Sequence, residues 1–262
     1  MSTNQHPVVL PAEALEGPDG EVVDANIDVV NAMYSELLGE EEIATNALRS
    51  YYVDFYLTEA LDGGFAQYVV SAGEREEIDD FVRDGLREMG ATKHLGLFEE
   101  TSAAFDALTD EDAEAYLEGD DEPSEAVKAL ESLDERFEET LDDEDLVALN
   151  AAWLRGQEGL LALDDDAIEQ EIARRVGLIP DLEERRAEAE LLEDGFDDAY
   201  DDEDDEADFD DFEELDDAES HEPHAEASAN GNEPHAEASA NGNEPHAHGP
   251  HAHAEKAEGA AK

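Results

Sequence analysis

A chain of 262 residues with 77 acidic and 14 basic side chains carries a formal charge of −63, which repels nucleic acid and anionic lipid and attracts basic proteins. Cysteine is absent, which excludes disulfides, thiolate chemistry and cysteine-based zinc sites. There is no apolar run of about 18 residues and no basic-then-apolar N-terminal segment, so the expectation is a soluble cytoplasmic protein without signal peptide or membrane span.

Residues 1–21 contain Pro7, Pro11, Pro18 and the tetrad GPDG, and read as a flexible N-terminal arm. A first helix is expected from Asn26 as N-cap, with Ile27, Val30, Tyr34, Leu37 and Leu38 on one face and Gly39 at its end. The second carries Ala44, Ala47, Leu48, Tyr51, Tyr52 and Phe55 and stops near Asp62. Phe65, Tyr68 and Val69 mark a short helix after Gly63 and Gly64. Ile78, Phe81, Val82 and Met89 mark another, and Leu95, Phe98, Phe105 and Leu108 the next. Thr109 or Asp110 caps a short piece through Tyr116 and Leu117, and the polar run GDDEPSE interrupts the pattern.

Helices resume with Val127, Leu130, Leu133, Phe137 and Leu141, then Leu146, Leu149, Trp153 and Leu154, then Ile168, Ile172 and Val176. All have the helical period and none the sustained alternation of a half-buried strand. The expected fold is all-α, one domain of about seven to nine short helices over residues 22–192. Those residues hold 48 acidic and 12 basic side chains, a net of −36, so the acidity belongs to the folded part. Residues 193–262 read as a disordered tail: an acidic run at 201–217, then His-containing 11-residue repeats over 222–253 with nothing to bury.

The stretch LDGGFAQYVVSAGE stands out in this acidic chain. Its paired glycines lack the leading strand, the GxxxxGK[ST] or GxGxxG spacing and the nearby lysine of a phosphate loop. They read instead as a turn, with Gly63 or Gly64 left-handed and Phe65 folding back onto Tyr52 and Phe55. The stretch YYVDFYLTEALDGGFAQYVVSAGE resembles the motif of a bacterial DNA-mimic protein C-terminal domain family, through Tyr52, Gly63, Gly64, Phe65, Gln67, Tyr68, Ser71 and Gly73. Asp62 stands where that family has Asn. The resemblance spans about residues 24–178. It implies an acidic all-helical domain, with the motif structural, and a role as a DNA mimic.

Charge spacing supplies a separate basis for mimicry. Carboxylates three and four residues apart on a helix are neighbours on one face. One row is expected from Glu131, Asp134, Glu135, Glu138 and Asp142, with Leu130, Leu133 and Phe137 turned inward, and a second from Glu76, Asp79, Asp80 and Asp84. Salt adaptation or solubility would give the same composition. On the mimic reading the partner is a basic, DNA-binding protein, with no direct nucleic acid or membrane contact; a homodimer is compatible with it. On the alternative reading, a pocket near Tyr52, Phe65 and Gln67 has a small-molecule or enzymatic role and the acidity serves only solubility.

No nucleophile elbow, HExxH or calcium loop occurs, and no cofactor motif, so a non-enzymatic protein is expected. His94 reads as a packed or exposed residue, the only histidine of the expected domain. Asp164–Asp166 read as the cap of the helix to Val176. His246, His248, His251 and His253, on a flexible segment, are expected to bind Zn²⁺, Ni²⁺ or Cu²⁺ weakly.

Overall fold

Side-chain caps start four of the helices, each by accepting the backbone N–H three residues on. In the computed structural model, which describes residues 6–73, 75–119 and 122–197 without the side chains of 192–197, these caps are Thr109, Ser124, Asp145 and Asp164. Each such cap stabilises its helix by about 1 kcal/mol. The chain runs as β1 (Val9–Pro11), a 3₁₀ turn (Ala14–Glu16), α1 (Asp19–Ser35), α2 (Thr45–Ala72) and α3 (Arg75–Met89). Then follow α4 (Thr92–Asp106), α5 (Asp110–Glu118), α6 (Glu125–Asp143), α7 (Leu146–Arg155), β2 (Leu161–Leu163), α8 (Asp165–Val176) and α9 (Leu182–Asp197). The fold is mostly helical, as the periodicity requires.

Central to the packing is α2, which lies against α1, α3, α6 and α7. A close approach is at Gly85 of α3, where a Cβ would stand 2.7 Å from the Val53 side chain and 2.9 Å from the Arg49 carbonyl. An aromatic cluster fills the centre: Tyr56 meets Tyr68, Phe98 and Phe137 edge-on, with centroids 5.3, 5.0 and 5.7 Å away. Such edge-to-face pairs add about 0.5–1.5 kcal/mol each beyond burial.

Residues 8–21 are not a loose arm. Val8, Val9 and Leu10 are buried, and β1 pairs in parallel with β2, Val9 opposite Leu161 and Pro11 opposite Leu163. The three-residue strands are too short to show alternation, and both faces of β1 are covered. Arginines hold the segment. Arg175 is 1% exposed, donates to the Pro7 carbonyl at 2.9 Å and pairs with Glu171 at 2.9 Å. Arg155 donates to the carbonyls of Leu15 and Gly17 and pairs with Asp19.

The first helix also differs at both ends. It begins at Asp19 after Pro18. Asn26 is no cap but a buried residue inside α1, donating to the Ala47 carbonyl at 3.0 Å and so tying α1 to α2. The helix closes before Gly39, because Leu37 itself takes a left-handed φ of 65°. The N–H groups of Leu37 and Leu38 then bond the carbonyls of Tyr34 and Met33, the paired bonds of a Schellman turn. Leu38 is buried against the core, which holds this unfavourable residue in place.

Candidate protein-binding surface

The glycine motif is a kink inside α2. Gly63 (φ −150°, ψ 28°) and Gly64 (φ 71°, ψ −165°) leave helical geometry, and the helix restarts at Phe65 in a new direction. The restart exposes an N-terminus, and a carboxylate distant in sequence caps it. Asp134 of α6 accepts the Phe65 N–H at 2.9 Å and the Tyr116 hydroxyl at 2.9 Å. A negative group there also complements the helix dipole. Gly64 lies so close that a Cβ would come within 3.0–3.2 Å of the Asp134 carboxyl group. Burial raises the pKa of Asp134, and the two hydrogen bonds oppose that rise.

The remaining motif residues brace the kink. Gln67 donates to Glu59 at 3.1 Å and to Ser71 at 3.0 Å, and Ser71 donates to Glu59 at 2.5 Å, joining the two halves of α2. Tyr68 is fully buried and donates to Asp79 at 2.7 Å. Phe65 does not fold back onto Tyr52 and Phe55. Its ring packs on Tyr68, Phe98 and Phe105, and the guanidinium of Arg75 lies 5.6 Å from its centre. The kink turns it towards α4 rather than back along α2.

On α6, Val127, Leu130, Leu133 and Phe137 are buried, each side chain contributing about 1.5–3 kcal/mol relative to exposure. That locks the opposite face outward. Glu131, Glu135, Glu138 and Asp142 form an exposed stripe there, with Glu139 and Asp143 exposed beside it. Asp134 is not part of the stripe, because it turns in to cap Phe65. The helix carries eight carboxylates and two cations, and both cations are occupied, Lys128 with Glu125 at 3.0 Å and Arg136 with Glu100 at 2.9 Å.

The second expected row is largely neutralised. Asp79 is 5% exposed and accepts from Tyr68 and from Ser102 at 2.9 Å. Asp80 pairs with Arg83 at 2.7 Å, and Asp84 with Arg49 at 3.0 Å and Arg87 at 2.5 Å. Glu76 is exposed. Arg75, Arg83 and Arg87 thus thread α3 with compensating charge. Among the described residues, each of the twelve Lys and Arg between 22 and 192 is paired with a carboxylate. The cations are spent on internal ties, and the surplus carboxylates set the surface field.

A family model described as DMP19-like protein matches residues 41–157, from the loop before α2 through the kink, both acidic helices and α7. Residues 41–157 are thus similar to the DMP19-like family. The matched segment lies inside the span of about 24–178 expected from the motif. No curated protein and no solved structure matches the chain.

Within the DMP19-like segment, Tyr52, Phe65 and Gln67 have separate surroundings. Tyr52 stacks on Phe81 at 5.1 Å and its hydroxyl lies 3.3 Å from those of Tyr34 and the Glu40 carboxylate; Phe65 sits in the aromatic cluster and Gln67 with Glu59. They do not line one pocket: Tyr52 packs on Phe81 of α3, Phe65 on Phe98 of α4, and Gln67 on Glu59. Glu40 has its pKa raised to about 7 by burial first, then by hydrogen bonding with and the charge of Glu77, against the Tyr52 hydroxyl.

His94 is fully buried, with Nε2 3.1 Å from the Glu144 carbonyl and its ring edge-on to Phe137. Burial lowers its pKa, against the Glu144 carbonyl and charge, and the residue is packed in the core. His6 is a second histidine among the described residues. No group of three or more His, Cys, Asp or Glu among the described residues is placed to hold a metal ion. His246, His248, His251 and His253, with the acidic run at 201–217, lie outside the described residues. No helix among the described residues is long and apolar enough to cross a membrane.

On the outer surface, two further features escaped sequence reasoning. Glu139 and Asp143 widen the α6 stripe, as the helical wheel could have revealed. A groove of about 530 Å³ opens where the end of α6 meets α7 and the last turns before the kink; no sequence signal marks it.

Proposed function

We propose that this domain is a binding module that occupies the basic surface of a DNA-binding protein in place of DNA, and that it is not an enzyme. The observation that carries the reading is the stripe Glu131, Glu135, Glu138 and Asp142, exposed on a helix whose opposite face is packed and which holds no free cation of its own. At 1.5 Å rise per residue the four carboxylates repeat about every 5.5 Å along the axis. One DNA strand presents a charge about every 3.4 Å. A single stripe therefore reaches somewhat more than half a strand's density, and Glu139 and Asp143 bring α6 closer to it. The similarity of residues 41–157 to the DMP19-like family supports the same reading.

The test is competition. The full chain, immobilised, should retain a DNA-binding protein from extract, and duplex DNA should displace it. Retention should fall steeply between about 0.05 and 0.2 M salt, as for release of counterions from phosphate-like charges. Reversal of Glu131, Glu135 and Glu138 to Lys should weaken retention far more than reversal of Asp80 and Asp84, which already face arginines. A retained protein that DNA fails to displace, or equal effects of the two sets of reversals, would leave the acidity a solubility trait.

A further inference from the structure

The groove beside the acidic stripe has a different chemistry from the stripe. Leu57, Leu61, Leu141, Leu146 and Val147 form its apolar lining, at the junction of α2, α6 and α7. Leu61 is 60% exposed there, although most large apolar side chains of the domain are buried. Asp142, Asp143 and Asp145 make the rim, and Asp142 is also the last residue of the α6 stripe. Lys93 offsets part of this charge through Asp143 at 2.8 Å, and Asp145 also caps α7. An apolar floor inside a carboxylate rim, continuous with a charged stripe, is an anchor position at the end of a polar track.

We propose that this groove takes an apolar side chain, a leucine-sized anchor, from the partner's own basic surface, with flanking Lys or Arg on the carboxylate rim. The assignment rests on the proposed function, because it names a second feature of the same partner. Charge selects this occupant. A second copy of the chain would bring acidic rim against acidic rim, in a molecule of net charge −63. The chain's residues 201–217, with 13 carboxylates in 17 positions, are excluded for the same reason. The anchor has a consequence that charge alone lacks. Phosphate-like rows attract any DNA-binding face, whereas a groove that must be filled by an apolar side chain between cations discriminates among them. DNA offers no such group, so the domain selects a partner by something DNA does not read.

The test uses two fluorescent peptides of about twelve residues with equal numbers of lysines, one with a central Leu-Leu and the other with Ser-Ser. Each is titrated against the full chain by anisotropy. The acidic tail contributes equally to both peptides and cancels in their ratio of affinities. Burial of a leucine predicts a preference of about tenfold or more for the leucine peptide. Leu61→Ser, a change at an exposed position checked by circular dichroism, should reduce the preference to about twofold or less. The triple reversal of Glu131, Glu135 and Glu138 should weaken both peptides and leave the ratio standing. A photoreactive leucine analogue in the peptide should cross-link within 57–61 or 141–147. A ratio near one, a ratio that Leu61→Ser leaves unchanged, or cross-links elsewhere would overturn the proposal. So would a dimer in sedimentation that Leu61→Ser dissociates, because a second copy would then fill the groove. If the ratio holds but the triple reversal affects neither peptide, the groove stands and the mimic reading falls.

Discussion

Replacing Gly64 with alanine tests the kink directly. At φ 71°, ψ −165° the backbone occupies a region that only glycine adopts freely, and a side chain there costs about 1–3 kcal/mol. The added Cβ would stand 3.0 Å from Asp134 Cγ, so the carboxyl group must move. Its hydrogen bonds to the Phe65 N–H and the Tyr116 hydroxyl then weaken, and one bond to a charged group accounts for about 1.5–3 kcal/mol when lost. With partial relaxation the expected loss is about 3 kcal/mol. For a domain of this size that is a fall in melting temperature of about 6–12 °C. Urea denaturation followed by circular dichroism gives the free energy. Gly73→Ala is the internal control. Gly73 also has positive φ, 61°, but an added Cβ meets nothing within 4 Å, so only a backbone cost of about 1–2 kcal/mol applies. In an Asp134→Ala background the increment for Gly64→Ala should shrink towards the Gly73 value. If Gly64→Ala lies within about 0.5 kcal/mol of the parent, or costs no more than Gly73→Ala, the contact with Asp134 does not hold the kink.

Leu37→Gly should stabilise the domain by up to about 1 kcal/mol in the same urea assay, since it relieves a left-handed leucine at the end of α1; a loss of stability would mean that the Leu37 side chain matters more than its backbone. Arg175→Ala should cost about 3 kcal/mol and open residues 6–18 to limited proteolysis, because it strips the Pro7 carbonyl and one partner of Glu171; an unchanged digestion pattern would argue against the clamp. Glu40 and Glu171 should give opposite pH dependences. The folded state raises Glu40 to about 7, so its contribution is complete below the unfolded value near 4.3 and is lost as pH rises through about 7; Glu40→Gln should flatten urea midpoints across that window. Glu171 is lowered to about 2, first by hydrogen bonding to Arg174, so its contribution is present above about 4.3 and disappears as pH falls towards 2, and Glu171→Gln should remove that acid limb.

Much of the helical content was legible because its causes are local. The stripe Val127, Leu130, Leu133 and Phe137 defines the buried face of α6, and Thr109, Ser124 and Asp164 announce starts by side-chain chemistry that needs only three residues. Net acidity and the lack of any nucleotide-loop spacing are equally properties of the chain. What lay beyond reach depends on partners distant along it. Asp134 and Glu135 are adjacent carboxylates, yet one caps Phe65, 69 positions away, and the other faces outward. Asp79 turns in because Tyr68 and Ser102 meet it from two other helices, and β1 exists only because β2 lies beside it. By itself the sequence determined most of the helices, though not the start of α1 or the presence of α9, and that they carry excess negative charge, because periodicity, capping and charge act over a few residues. Only the tertiary structure decided which carboxylates remain for a partner, because each one's hydrogen-bond donors and cations come from elements that folding alone brings together.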